Sequence, residues 1–191
     1  MSPLEIHNDL CMAVDTLCRG GIVLYPTDTI WGLGCDATDE SAVRRLFELK
    51  HRPDSKAMIS LVDSLPTLRR IVPRLPLVAE EEFLKANSPL TIIVDHASGI
   101  AESLKAEDGS AAFRIPLFHF TNELCRLLGR PLVSTSVNIS GQAPARSFDD
   151  ISEEMKEKVD YVCRFGRDLK SASPSRIIKI GDDGQIDIIR D

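Results

Sequence analysis

The sequence predicts one α/β domain built on a twisted, mixed β-sheet with flanking helices. Three observations carry that prediction. Short apolar runs of strand length alternate along the chain with segments of helical period, the pattern of a sheet covered by helices. The last two runs, Arg176–Ile180 and Gln185–Arg190, flank Gly181-Asp-Asp-Gly184 and alternate as a β-hairpin does, which a purely parallel sheet would not contain. The 191 residues hold no internal repeat, low-complexity tract or linker, so residues 1–191 are read as a single domain.

Leu10, Val14 and Leu17 mark one face of a first helix, which Gly20-Gly21 should end. Ile22 to Tyr25 is an apolar run of buried-strand type. Pro26 to Ala37 reads as a loop whose glycines permit close backbone approach and whose hydroxyls, Thr27 and Thr29, are aimed into a site. Its Gly32-x-Gly34-x-x-Ala37 matches a dinucleotide fingerprint only formally. That fingerprint needs its first glycine directly after the strand, and here Pro26 to Trp31 intervene. Ala42, Val43, Leu46 and Phe47 form the buried stripe of a helix over Ser41 to Leu49. Ala57 to Val62 is a second strand, and Leu65 to Ala86 is broken by Pro66, Pro73 and Pro76 until a helix from Val78 to Ala86. Leu90 to Val94 is a strand launched by Pro89, and Ser110 to Pro116 another. Phe120, Leu124, Leu127 and Leu128 mark a helix ended by Gly129, with Pro131 beyond. Leu132-Val133 enters a hydroxyl-rich loop, Ser134 to Gly141, and Phe148-Asp149 opens a last helix to about Lys158.

Composition excludes several classes. With 43% hydrophobic and 27% charged residues and no apolar run of bilayer length, the chain reads as a globular protein with no membrane association. Met1 to Asn8 lack a basic n-region and an apolar h-region, so a cytoplasmic location is expected. Cys11, Cys18, Cys35, Cys125 and Cys163 are odd in number and far apart, against both a disulfide framework and structural zinc. His7, His51, His96 and His119 are scattered and read as surface residues. A net charge of −6 argues against a protein that coats nucleic acid through its global field, and leaves only a local basic concavity for anions.

Such a concavity has candidates. Lys50, Arg52 and Lys56 leave the end of the Ser41–Leu49 helix together, where the helix dipole favours cations, and Pro53 turns Arg52 out of helical geometry. In the Ser110–Pro116 strand, Ser110, Ala112 and Arg114 share one face. An arginine there would be costly on an apolar core, so Arg114 should meet an anion or a carboxylate.

Six separated motifs occur together: Pro26-Thr-Asp-Thr29 with Gly32-Leu-Gly34, Lys50-x-Arg52-Pro53, Ser110-Ala-Ala-Phe-Arg114-Ile-Pro116, Ser136-x-Asn138-x-Ser140-Gly141, Pro174-Ser175, and Arg190. In this order they resemble the YrdC/Sua5 family, the threonylcarbamoyl-AMP synthases, in its short single-domain form, from about Gly20 onward. Two departures stand out: Asn87-Ser88-Pro89 occupies the place of the family's Pro-Gly-Pro, and Arg176 adds a cation after Ser175. The resemblance implies a YrdC-like fold enclosing a basic concave cavity. It implies a nucleotidyltransferase that joins L-threonine, bicarbonate and ATP into threonylcarbamoyl-adenylate and releases pyrophosphate, for the t6A modification of tRNA completed by a separate transferase. By position in the motifs, Thr29, Arg114, Ser136 and Ser175 would surround threonine. Lys50, Arg52, Lys56, Ser110, Asn138, Arg146 and Arg190 would take ATP, with Lys50 and Arg52 in the catalytic role. Mg2+ is expected with the triphosphate. No dedicated protein ligand for it is named, Asp28 and Asp36 being the nearest carboxylates. The competing reading is a non-catalytic module that binds double-stranded RNA or tRNA through the same cavity. The few aromatic residues, seven Phe, two Tyr and one Trp, give it little to stack bases on.

Overall fold

The computed structural model describes residues 1–51, 58–138, 145, 147–170 and 174–191. Nine strands form one mixed sheet in the order β7-β1-β2-β6-β3-β5-β4-β8-β9. In chain order these are β1 (Val23–Tyr25), β2 (Gly32–Gly34), β3 (Ile59–Leu61), β4 (Leu90–Val94), β5 (Ala111–Arg114), β6 (Leu132–Ser136), β7 (Tyr161–Val162), β8 (Arg176–Ile180) and β9 (Ile186–Arg190). The pairs β1·β7, β3·β5 and β4·β8 are parallel and the rest antiparallel, so the mixed sheet is as expected. The helices are α1 (Pro3–Cys18), α2 (Glu40–Leu49), α3 (Leu65–Ile71), α4 (Leu77–Lys85), α5 (His119–Leu128) and α6 (Glu153–Lys158). None of the described helices is long and apolar enough to cross a membrane.

The helix ends follow local chemistry. Ser2 and Glu5 close a capping box on α1. Asp39 caps α2 by accepting from the Ser41 and Ala42 amides, and Gly129 ends α5 at φ 67°, a left-handed geometry that costs glycine little. Buried Asp9 of α1 accepts from the Tyr161 hydroxyl at 2.6 Å and from the Arg164 and Phe165 amides, which pins the stretch after β7 to the first helix.

Four expectations are corrected. Residues 26–37 are not one loop: Gly32–Gly34 is β2, in the middle of the sheet between β1 and β6. Strand β6 runs on through Ser134, Thr135 and Ser136, since pairing with β2 and β3 outweighs the local turn preference of serine. Pro66 does not prevent α3, because it sits in the first turn, where its missing N–H has no helical partner to lose, and Ser64 caps that turn. The expected helix from Phe148 is divided into a 3-10 turn (Phe148–Asp150) and α6, since Ser147 and Ser152 each cap a separate start.

The register puts one set of side chains on a single face. Tyr25 lies opposite Gly32 and Gly32 opposite Ser136. Ile59 lies opposite both Ser134 and Ala112. Arg114 lies opposite Thr91, Thr91 opposite Ile177, and Ile177 opposite Arg190. Cross-strand partners share a face, so this line of residues crosses the sheet from β1 to β9.

Candidate functional site

A cavity of about 350 Å³ opens on that face, within the size range of small-molecule sites. Its wall is hydroxyl-rich: Thr27, Thr29, Ser134, Thr135, Ser136 and Ser175. Met58, Ile59, Ile177 and Pro174 give it an apolar side, and Asn138, Arg114 and Arg190 complete it.

The β1–β2 connection aims its hydroxyls inward because it is internally bonded. Thr27 Oγ1 accepts from the Thr29 amide (3.0 Å), donates to the Ile30 carbonyl (2.7 Å) and lies 3.0 Å from Thr29 Oγ1. Thr121 Oγ1 donates to the Pro26 carbonyl and ties the start of the loop to α5. Gly34 is required by the neighbouring ring. Tyr25 lies across β2 and its phenol donates to the Val133 carbonyl on β6. A Cβ on Gly34 would stand 2.8 Å from Tyr25 Cε1. Burial pushes the Tyr25 phenol well above its usual range, so it remains a neutral donor.

Arg114 is 3% exposed and meets a carboxylate, as its place on the strand requires. Its Nη2 is 3.4 Å from Asp28 Oδ1, while Asp28 Oδ2 accepts from the Leu117 amide at 3.2 Å. Among the described residues neither the Arg114 Nε nor Asp28 Oδ1 has a hydrogen-bond partner, which leaves a buried guanidinium with donor capacity beside a wall of hydroxyls. Arg190 reaches back from β9: its Nε and Nη2 donate to the Ser175 carbonyl at 3.0 and 2.7 Å.

Of the residues singled out in the sequence, Thr29, Arg114, Ser136, Ser175, Asn138 and Arg190 come together around this one cavity. Lys50 and Ser110 are not among the residues lining it. Lys50, the C-cap of α2, is 1% exposed, and its ammonium donates to the Ser136 and Asn138 carbonyls. It thereby ties the end of β6 to the end of α2. Ser110 lies just before β5, four residues from Arg114, and its hydroxyl is held by Asp108 Oδ1 at 2.6 Å. Arg52, Lys56 and Arg146 lie outside the described residues. Thr91 is a position whose part in the site the sequence does not reveal, and Asp28, named there only as a carboxylate near the triphosphate, is the one that faces Arg114. Only the strand register, which sets Thr91 opposite Arg114, points to the first.

Lys50→Met keeps the length of the side chain and removes the ammonium. It is expected to lower the urea midpoint by the equivalent of about 2–3 kcal/mol, because two carbonyls lose their donor. An unchanged midpoint would show that Lys50 holds nothing in place.

Other chemistries find little support. Burial pushes the Cys35, Cys125 and Cys163 thiols up, so they stay protonated and supply neither nucleophile nor thiolate ligand. Among the described residues there is no group of three or more His, Cys, Asp or Glu able to hold a metal ion. Asp28 is engaged by Arg114 and the Leu117 amide, and Asp36 by Arg130 and Thr38. A protein-built magnesium cage therefore does not fit the described residues.

The family model described as telomere recombination, covering Sua5, YciO and YrdC proteins, matches residues 15–191. A threonylcarbamoyl-AMP synthase of Marinobacter nauticus is 34% identical over 175 residues, covering 90% of this chain and 90% of its own. Among solved structures, a doubly substituted Sua5 of P. abyssi superposes with a TM-score of 0.83 at 26% identity, over 95% of this chain and 55% of its own. P. abyssi Sua5 complexed with L-threonine gives a TM-score of 0.78 at 25% identity, over 89% of this chain and 50% of its own. The chain thus spans about half the length of these Sua5 proteins, but nearly the whole of its bacterial relative.

Proposed function

The chain belongs to the Sua5, YciO and YrdC family, and from that premise we propose that it is an L-threonylcarbamoyladenylate synthase, acting for t6A modification of tRNA. The observation that carries the reading is the buried Arg114, with an unpartnered Nε in a cavity walled by hydroxyls. A planar guanidinium held in place by Asp28 suits the carboxylate of an amino acid, which it can take as a fork. Thr29, Ser136 and Ser175 lie beside it for the remaining polar atoms of threonine. Asn138 and Arg190 are assigned to the nucleotide side, with Arg52, Lys56 and Arg146 supplying further charge and Ser110 the remaining family contact. Lys50 is assigned to the phosphates with Arg52 in the catalytic role, its ammonium already bonded to the carbonyls of Ser136 and Asn138 in the cavity wall.

In the proposed reaction, the neutral threonine amine attacks the carbon of bicarbonate, a C–O bond breaks, and water leaves with one amine proton to give the carbamate. A carbamate oxygen then attacks the α-phosphorus of ATP, the bond to the β-phosphate oxygen breaks, and pyrophosphate leaves. The attacking oxygen is already anionic, so the transfer needs no protein base. It needs alignment and neutralisation of charge on the phosphates, which makes the enzyme a nucleotidyltransferase. Mg2+ is assigned to the triphosphate as it arrives, with no step routed through it. The basic hollow expected from the resemblance is completed in this reading by the Lys50–Lys56 segment. A cytoplasmic setting goes with these substrates, and a separate transferase carries the product to RNA.

Pyrophosphate release from ATP is expected to require both threonine and bicarbonate, and to fall to background in Arg52→Ala. Release indifferent to threonine would overturn the assignment. Salt-sensitive binding of double-stranded RNA or tRNA with no nucleotide turnover would favour the binding module instead.

A further inference from the structure

We infer that Thr91 is a positioning residue that locks the Ser175 hydroxyl as a donor into the cavity. The inference rests on the proposed function only for what the donor meets, an anionic oxygen of threonine or its carbamate. Thr91 sits in β4, opposite Arg114 on one side and Ile177 on the other, and is fully buried beneath the cavity face. Its Oγ1 lies 2.9 Å from Ser175 Oγ, and among the described residues its hydroxyl bonds no other group.

Each hydroxyl has one proton and two lone pairs, so its bonds can be assigned. A guanidinium only donates, and Arg190 Nη2, 3.4 Å from Ser175 Oγ, takes one Ser175 lone pair while its stronger bonds hold the Ser175 carbonyl. If Ser175 gave its proton to Thr91, the Thr91 proton would be stranded without an acceptor in a site closed to water. Such an orphaned donor is costly. The opposite assignment strands nothing. Thr91 donates to the second Ser175 lone pair, both lone pairs are filled, and the Ser175 proton turns to the one open direction, the cavity that Ser175 lines. Ser175 then favours a ligand oxygen and disfavours a ligand N–H at the same point.

The test is the wild-type chain against Thr91→Val, Thr91→Ser, Ser175→Ala and the Thr91→Val/Ser175→Ala double variant. Threonine and ATP binding are followed by calorimetry, and turnover by pyrophosphate release. In Thr91→Val the Ser175 hydroxyl is free to turn, so threonine Kd and KM should rise roughly 10-fold, the scale of one misdirected hydrogen bond to a charged group. ATP affinity, kcat at saturating threonine and thermal midpoint should stay close to wild type. Thr91→Ser should restore threonine affinity, and Thr91→Val should add nothing once Ser175 is alanine. Wild-type threonine affinity in Thr91→Val, or additive losses in the double variant, would overturn the role while leaving the function standing. A wild-type chain that binds ATP but no threonine would overturn both.

Discussion

Arg114→Ala is expected to reduce threonine-dependent pyrophosphate release by at least roughly 100-fold, the loss of a bidentate, charge-assisted contact in a buried setting. Arg114→Lys should rescue little of it, since a point charge on a flexible stem cannot present the planar fork. The stability effect is separable. Asp28, whose side chain is 8% exposed, would be left without its cation, at a cost of about 1–3 kcal/mol, less than for a hydrogen-bonded buried pair because the two groups stand 3.4 Å apart and share no hydrogen bond. Asp28→Asn keeps an acceptor for the Leu117 amide and removes the charge. The double variant Arg114→Met/Asp28→Asn should therefore recover the thermal midpoint while remaining inactive. Full activity in Arg114→Ala would remove the basis for placing an amino-acid carboxylate in this cavity.

The largest effect on stability is expected from a single methyl group. In Gly34→Ala the new Cβ would stand 2.2 Å from the Val133 carbonyl oxygen and 2.8 Å from Tyr25 Cε1. Neither neighbour can yield, since Val133 bonds the Cys35 carbonyl at 2.9 Å and Tyr25 is fully buried. Strand β2 must then part from β6, at about 3–5 kcal/mol, or a fall of roughly 10 °C or more in Tm. Gly32→Ala meets the Thr27 methyl at 3.1 Å, the rim of Tyr25 at 3.4 Å and Ser134 Oγ at 3.5 Å, all side-chain atoms, and should cost far less. Calorimetric melts of the two variants decide the matter; equal midpoints would mean that β2 does not need a bare backbone at Gly34.

Strong periodicity made parts of the fold legible. The stripe of α2, the stop at Gly129, β4 with its bounds and the β8–β9 hairpin were all predictable, because local pattern and tertiary need agree there. What stayed hidden was decided at long range. Gly32-Leu33-Gly34 has poor strand propensity and pairs only because the Tyr25 ring fills the space its side chains lack. Ser134 to Ser136 reads as a turn until β2 and β3 arrive on either side. For the site, alternation was enough to require a partner for Arg114. It could not name Asp28 as that partner, which lies 86 positions earlier and meets it only once the sheet is assembled. Burial of Lys50 was likewise hidden: a helix end normally shows its cations to solvent, and here the ammonium is drawn in to the Ser136 and Asn138 carbonyls.

The strand order also bears on how the nascent chain is made. Strand β1 pairs with β2 at once, but its other edge waits for β7, and the Ile22 amide finds its Asp160 acceptor 138 positions downstream. On the ribosome that interval lasts on the order of ten seconds, and for most of it, until β6 is made, a glycine-rich hairpin has no neighbour on either side. Rapid overproduction is therefore expected to lose material to aggregation of half-made chains, and slower synthesis or more abundant chaperones to recover it.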